Sequence, residues 1–383
     1  MSDGGRSAVV IRQAAGSPFV RRDLRAAVLP WLVARVIVLA SLAATRFLVD
    51  QLDATERLPL RQGLFGWDAT FYRLVAEHGY QAVGEDGLRF FPLVPLLARG
   101  LGVVFVGNSA LALLVVVNGA ALLFGALLHR LVVLETHDLR AARRAVWFGS
   151  VVPPAVVLVM GYAEAVLLAL GVGVFLAIRT DRFAWAAGLG VLAGLCRPLG
   201  LLLMIPVAIE AARTWRGASL GGRAARLSAL AGPAAGTACY LGWAQRAYQD
   251  FWLPVRVQEG EAYRGDLVDP VTRVARAVGD VVDGDLFDSG RQLLWLAVLV
   301  AVLVVLARRL PVSYVAYAGA VVVTSVSSDV IQSLERYAIS AFPFAIGFAL
   351  LGARIEVERA LLVVFGAGLA GYCVLAFSGV LVP

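Results

Sequence analysis

The chain has 383 residues, 60% hydrophobic and only 16% charged, with a mean hydropathy of +0.79. Soluble domains run at about 45–50% apolar and about 25% charged. The composition excludes a soluble enzyme, a disordered chain and a disulfide-stapled secreted domain, and it is that of an all-α polytopic membrane protein. All 34 basic residues are Arg, and the net charge is +7. An isoelectric point near 9.7 would suit nucleic acid in a soluble protein. Here the surplus Arg is assigned to one side of a membrane, and no nucleic-acid partner is expected. Cys196, Cys239 and Cys373 fall in apolar stretches, fit no metal spacing and read as small hydrophobes.

The opening residues carry Arg6, Arg12, Arg21, Arg22 and Arg25 without an apolar core or cleavage site. They predict a cytoplasmic segment over 1–26, not a cleavable signal. Apolar runs then predict about eleven crossings: 27–47, 108–132, 144–160, 163–178, 183–196, 199–212, 228–248, 291–307, 312–326, 337–352 and 360–380. The pair 183–196 and 199–212 reads either as two short spans or as a re-entrant hairpin broken at Arg197-Pro198, because proline disfavours helix at the residue before it. Gly190-x-x-x-Gly194 is a small-residue spacing that would let helices approach closely. With the N-terminus inside, the cytoplasmic segments sum to +11 and the external ones to −5, which supports that orientation.

Two long connections fall outside in this layout, 48–107 and the acidic 249–290. The first has aromatic, amphipathic stretches and predicts short helices on the outer membrane surface. The second holds Asp266, Asp269, Asp280, Asp283, Asp285 and Asp288, but lacks the alternating register of a calcium loop. All parts belong to one integral membrane domain, 1–383.

Within the first connection, a short helix is expected from Asp68, with Phe71, Leu74, Val75 and His78 on one face and Gly79 ending it. Asp68 is either a helix N-cap or a functional acid. Glu164 is flanked by apolar residues at an outer helix edge and reads either as a site residue or as a solvated acid at a helix start. Arg197 and Arg336 stand at outer ends of apolar runs, each offering a permanent charge and a planar fork suited to phosphate oxygens. Arg197 has no acid near it in sequence; Arg336 follows Glu335, but adjacent helix residues point different ways. His129 and His137 are placed on the cytoplasmic side as solvated residues. There is no Walker motif, so direct use of ATP is not expected.

Four blocks together resemble the GPI mannosyltransferase 2 (PIG-V type) family and its bacterial relatives. They are Trp67-Asp68…Tyr72…Ala76-Glu77-His78-Gly79-Tyr80, Phe91-Pro92-Leu93-Val94-Pro95-Leu96, Gly161-Tyr162-Ala163-Glu164 and Gly194-Leu195-Cys196-Arg197-Pro198-Leu199-Gly200. A fifth, Arg336-Tyr337…Phe342-Pro343, is similar to a segment near the family's end. The family's Tyr-Thr-Glu-Ser-like block is Tyr162-Ala163-Glu164-Ala165 here, so the hydroxyls beside the Glu are lost.

The resemblance implies a GT-C-type glycosyltransferase that moves mannose from a polyprenyl-phosphate sugar to a lipid-linked or other extracytoplasmic acceptor, with inversion. It maps the family's catalytic carboxylate onto Asp68, which is expected to act as general base; Arg197 and Arg336 are expected at the donor phosphate, and Trp67, Tyr72, His78, Tyr80, Tyr162 and Glu164 as substrate contacts. Neither metal nor other cofactor is expected. The competing classes are a secondary transporter, which would place its charges near the midplane and show internal repeats, and a non-catalytic membrane partner of lipid-glycan handling.

Overall fold

The computed structural model describes residues 21–260, 264–330 and 333–383; residues 1–20 of the expected N-terminal segment lie outside the described residues. The described chain is helical throughout. The first long helix, α1 (Arg21–Gln51), leads into a connection with three short helices, α2 (Leu58–Gln62), α3 (Asp68–His78) and α4 (Leu93–Gly102). A mainly apolar series follows: α5 (Ser109–Thr136), α6 (Leu139–Val151), α7 (Glu164–Arg179), α8 (Phe183–Cys196), α9 (Met204–Thr214) and α10 (Leu220–Tyr248). The second connection carries α11 (Leu253–Arg256) and α12 (Pro270–Val282). The chain closes with α13 (Arg291–Arg309), α14 (Val312–Val326), α15 (Leu334–Ile339), α16 (Pro343–Leu351) and α17 (Ile355–Phe377).

Every predicted apolar segment is helical, but not every one is long. Among the described residues, α1, α5, α13 and α17 are long and apolar enough to cross a membrane by length and composition, as a multi-pass membrane protein requires. Eleven full crossings are not established. The outer side of α1 leaves Leu29, Val36 and Phe47 exposed, which suits contact with lipid and not with water.

The breaks have local causes. The expected 144–160 helix stops at Val151, because Val152 precedes Pro153-Pro154 and is extended (φ −54°, ψ 142°). A 3-10 turn over Pro153–Leu158 follows. Its carbonyls need donors inside a helical bundle, where water is scarce. Arg35 supplies one to the Leu158 carbonyl at 2.8 Å and Asn118 one to the Val159 carbonyl at 3.1 Å. Arg35 Nε also donates to Asn118 Oδ1 at 2.9 Å, so the charge inside α1 repairs a broken helix. The expected 337–352 segment is likewise broken between Ser340 and Phe342, and α16 restarts on Pro343, whose missing N–H is not needed there.

The 183–212 segment is a hairpin. Arg197 is extended (φ −161°, ψ 156°), and a 3-10 turn over Pro198–Leu203 leads into α9. Asp181 before α8 and Thr214 at the end of α9 both bond the Arg226 side chain, at 2.5 and 2.9 Å, so the chain returns to the level from which it left. The glycine spacing has the consequence it suggests. A Cβ on Gly194 would stand 2.1 Å from the Pro233 carbonyl oxygen, and one on Gly236 would stand 2.0 Å from that of Val191. Only reciprocal glycines let α8 and α10 lie this close.

The expected solvated histidines divide. His137 is exposed, but His129 is buried with Nδ1 2.6 Å from Asp23 Oδ1, tying α5 to the start of α1.

Candidate active site

Three features place Asp68. Gly66 packs against the α2 turn, where a Cβ would meet the Pro59 carbonyl at 3.2 Å. Trp67, with φ 59°, swings the chain into α3, and its indole N–H donates to the Ala376 carbonyl at 3.0 Å. A bulky residue in this conformation is strained, and such strain collects at functional positions. Asp68 is then the first residue of α3, not its N-cap, and its side chain makes no capping hydrogen bond. Its backbone N–H donates to the Tyr162 hydroxyl at 3.3 Å. Gly79 ends α3 as expected, with φ 84°. The inward face of α3 differs from the expected one. Ala69, Tyr72, Val75 and Ala76 are buried, because small residues let α3 press on α4 and α5, while His78 turns outward.

Asp68 Oδ2 accepts from Arg336 Nη1 at 2.6 Å. Arg336 Nε lies 3.6 Å from Glu164 Oε1, and Arg197 Nη1 donates to that same oxygen. The four side chains form one alternating chain, Asp68–Arg336–Glu164–Arg197. Glu164 is the first residue of α7, where a helix terminus favours negative charge, but it is fully buried and not solvated. Glu335 turns away from Arg336 and pairs with Arg291 and the Tyr372 hydroxyl.

Asp68, Arg336 and Arg197 border a cavity of about 980 Å³ lined by α2, the start of α3, the tip of the α8–α9 hairpin, the start of α15 and the segment after α17. Trp67, Asp68, Tyr72, Arg197 and Arg336 are all in its wall. Tyr162 and Glu164 stand behind the wall, holding Asp68 and the two Arg instead of facing the space. His78 is exposed beside Glu77, roughly 15 Å along α3 from Asp68, and is not brought to the cavity. Tyr80 is also absent from the wall: its hydroxyl donates to the Phe90 carbonyl at 2.7 Å and its ring packs on Tyr240 and Trp243.

Sequence reasoning missed Arg57, Arg89, Arg264 and Tyr337, which complete the wall. The Tyr337 ring gathers three guanidinium groups, Arg264, Arg336 and Arg197, at 4.1, 4.9 and 5.4 Å from its centroid. Arg89 lies two residues ahead of the Phe91-Pro92 block and offered a signal; Arg264 sits in the acidic connection, where nothing local marks it. Among the described residues the wall thus holds five Arg (57, 89, 197, 264 and 336) against one carboxylate, Asp68. Burial pushes the Asp68 carboxyl up, but Arg336 first, then Arg89 and Arg197, outweigh it and hold it below its usual range. Asp68 is therefore ionised at neutral pH and able to accept a proton. Among the described residues no group of three or more His, Cys, Asp and Glu side chains converges as a metal site would.

No protein-family model and no curated protein matches the chain, so the PIG-V resemblance rests on its motif residues alone. Among solved structures, the archaeal oligosaccharyltransferase AglB of Archaeoglobus fulgidus, in complex with an inhibitory peptide and a dolichol-phosphate, overlaps 94% of this chain and 56% of its own length at 13% identity and a TM-score of 0.44. The oligosaccharyltransferase of the same organism in complex with zinc and sulfate overlaps 76% of this chain and 44% of its own at 13% identity and a TM-score of 0.40. The chain spans about half the length of these structures.

Proposed function

We propose that the protein is a membrane glycosyltransferase that moves a hexose, mannose by the motif resemblance, from a polyprenyl-phosphate sugar to a lipid-linked or other extracytoplasmic acceptor. The observation that carries this reading is the composition of the cavity wall: one ionised carboxylate, Asp68, among five guanidinium groups at the ends of apolar helices. An acceptor hydroxyl must lose a proton as it attacks the anomeric carbon, and Asp68 takes that proton. The departing polyprenyl phosphate gathers negative charge, and Arg197 and Arg336 meet it in a partly dry site. Attack on the side opposite the leaving phosphate inverts the anomeric centre. Leu199, Leu201 and Leu202 supply an apolar wall for the prenyl chain. Glu164 holds both Arg at their stations while Tyr162 holds the start of α3.

The charged residues of the cavity wall gather at one end of the bundle, which favours surface chemistry over transport through the midplane. The test incubates purified protein with polyprenyl-phosphate-mannose and a total lipid extract, and searches by mass spectrometry for a hexose gain. A product that appears with wild type and not with Asp68→Asn supports the reading; no hexose gain in any lipid or peptidic fraction removes it.

A further inference from the structure

The acidic connection contains a surface that the cavity does not use. Asp269 caps α12 by accepting from the Val271 and Thr272 N–H groups, and Asp285 does the same for Asp288 and Ser289. Arg276 on the polar side bonds Asp329 at 2.8 Å, and Arg273 lies 3.9 Å from Asp280. The acids are thereby partly accounted for as caps and ion-pair partners. What remains is apolar. Val271, Ala275, Val278 and Val282 recur at i, i+4, i+7 and i+11, one stripe along α12. The stripe does not face the protein: Val271 and Val282 are 79% and 80% exposed, while Arg273 and Ala277 on the far side of the helix are buried. Leu267 ahead of the helix and Leu286 and Phe287 after it are exposed as well.

We propose that α12 lies on the bilayer surface with this stripe in the lipid boundary. Thirteen residues give about 20 Å of helix, too short to cross, so the helix lies along the interface. The occupant follows from continuity. The chain passes from Phe287 directly into α13, a helix of membrane-crossing length whose Leu294 is exposed near its start. The stripe thus adjoins a surface that already meets lipid. The Arg276–Asp329 contact anchors the polar side to the segment after α14 and leaves the apolar side free. With acids around it, the helix is held by apolar area and not by attraction to anionic headgroups. The docked helix steadies a cavity wall. The Asp329 and Val330 N–H groups donate to the Asp266 and Arg264 carbonyls at 3.1 and 3.0 Å, and the Arg264 side chain lines the cavity.

The test uses the full chain with Cys239→Ala, which removes the exposed native thiol and leaves the buried Cys196 and Cys373. Val278→Cys, Val282→Cys, Asp283→Cys and Leu294→Cys are each labelled with bimane in phosphatidylcholine vesicles. Brominated phosphatidylcholine should quench probes at 278 and 282 as it quenches the reference at 294, and quench 283 less than half as much, at low and high salt alike. Quenching of 278 and 282 by aqueous iodide and not by brominated lipid would overturn the proposal. So would protection from both with a 278–278 disulfide between chains, which would make the stripe an interface between copies.

Discussion

Asp68 and Arg336 stand 268 positions apart and meet at 2.6 Å. Asp68→Asn keeps the size of the side chain but cannot accept a proton. Turnover should fall by roughly 10²-fold or more, while the Asn side-chain oxygen still accepts from Arg336 and limits the loss of folded protein. Near-normal turnover would return Asp68 to a structural role. The ion pair makes a second, signed prediction. Burial raises the Asp68 carboxyl, and Arg336 is the first of the cations that lower it. Arg336→Gln leaves burial less opposed, so the carboxyl climbs and is protonated at a higher pH. The acid limb of kcat/KM should move upward in pH, and an unmoved limb would separate Asp68 from the proton-transfer step. Arg197→Lys keeps the charge and loses the fork. It should raise KM for the lipid-phosphate donor more than KM for the acceptor; equal increases would take Arg197 away from the donor.

At the scale of elements, the sequence made the apolar helices legible because hydropathy and Arg clusters bracket them. The predicted 312–326 segment coincides with α14, and 183–196 with α8. What it hid was their interruption. Pro153 and Pro343 were visible, but whether proline kinks or ends a helix depends on which neighbours satisfy the freed carbonyls, here Arg35 and Asn118 from two other helices. Pairings such as Arg197 with Glu164 were hidden for the same reason: nothing local marks partners 33 positions apart across a helix and a hairpin. Site residues on the wall were found where a motif named them, and His78 and Tyr80 were drawn in by the same motif although α3 and the turn after it carry them away. The glycine contacts give the test for this scale. Gly194→Ala drives a Cβ into the Pro233 carbonyl, so α8 and α10 must part. Such overpacking costs about 1–3 kcal/mol, and the unfolding midpoint in detergent should drop by several degrees. Gly188→Ala, with nothing within 4 Å, should leave it unchanged or raise it slightly. Equal midpoints would mean the helices can separate freely.

For the whole molecule, two groups of paired charged and polar side chains stand out. Asp68, Glu164, Arg197, Arg291, Glu335 and Arg336 form one. Glu135, Arg179, Glu210 and Arg213, with the Asp181–Arg226 pair and the Asp23–His129 hydrogen bond, belong to the other. Glu164 and Arg179 are the first and last residues of α7, so the groups lie at opposite ends of a helix about 24 Å long. Among the described residues no ion pair joins one group to the other, as expected if a membrane separates them. This division coincides with the one drawn from charge alone, +11 against −5, and the positive-inside rule predicts its sign, with the cavity end outside. The proposed chemistry asks for the same side, because a sugar carried on a lipid is useful where sugar nucleotides are absent. Asp53 lies in the connection after α1, on the cavity side, and Arg140 near the start of α6, on the other. Both are exposed, so a thiol at either position is open to reagent. In a protein with its three native cysteines replaced, Asp53→Cys should react with a membrane-impermeant maleimide added to intact cells, and Arg140→Cys should react only after the membrane is opened. The reverse pattern would invert the topology and place the Asp68 cavity in the cytoplasm, where a polyprenyl-phosphate donor would lose its advantage over a sugar nucleotide.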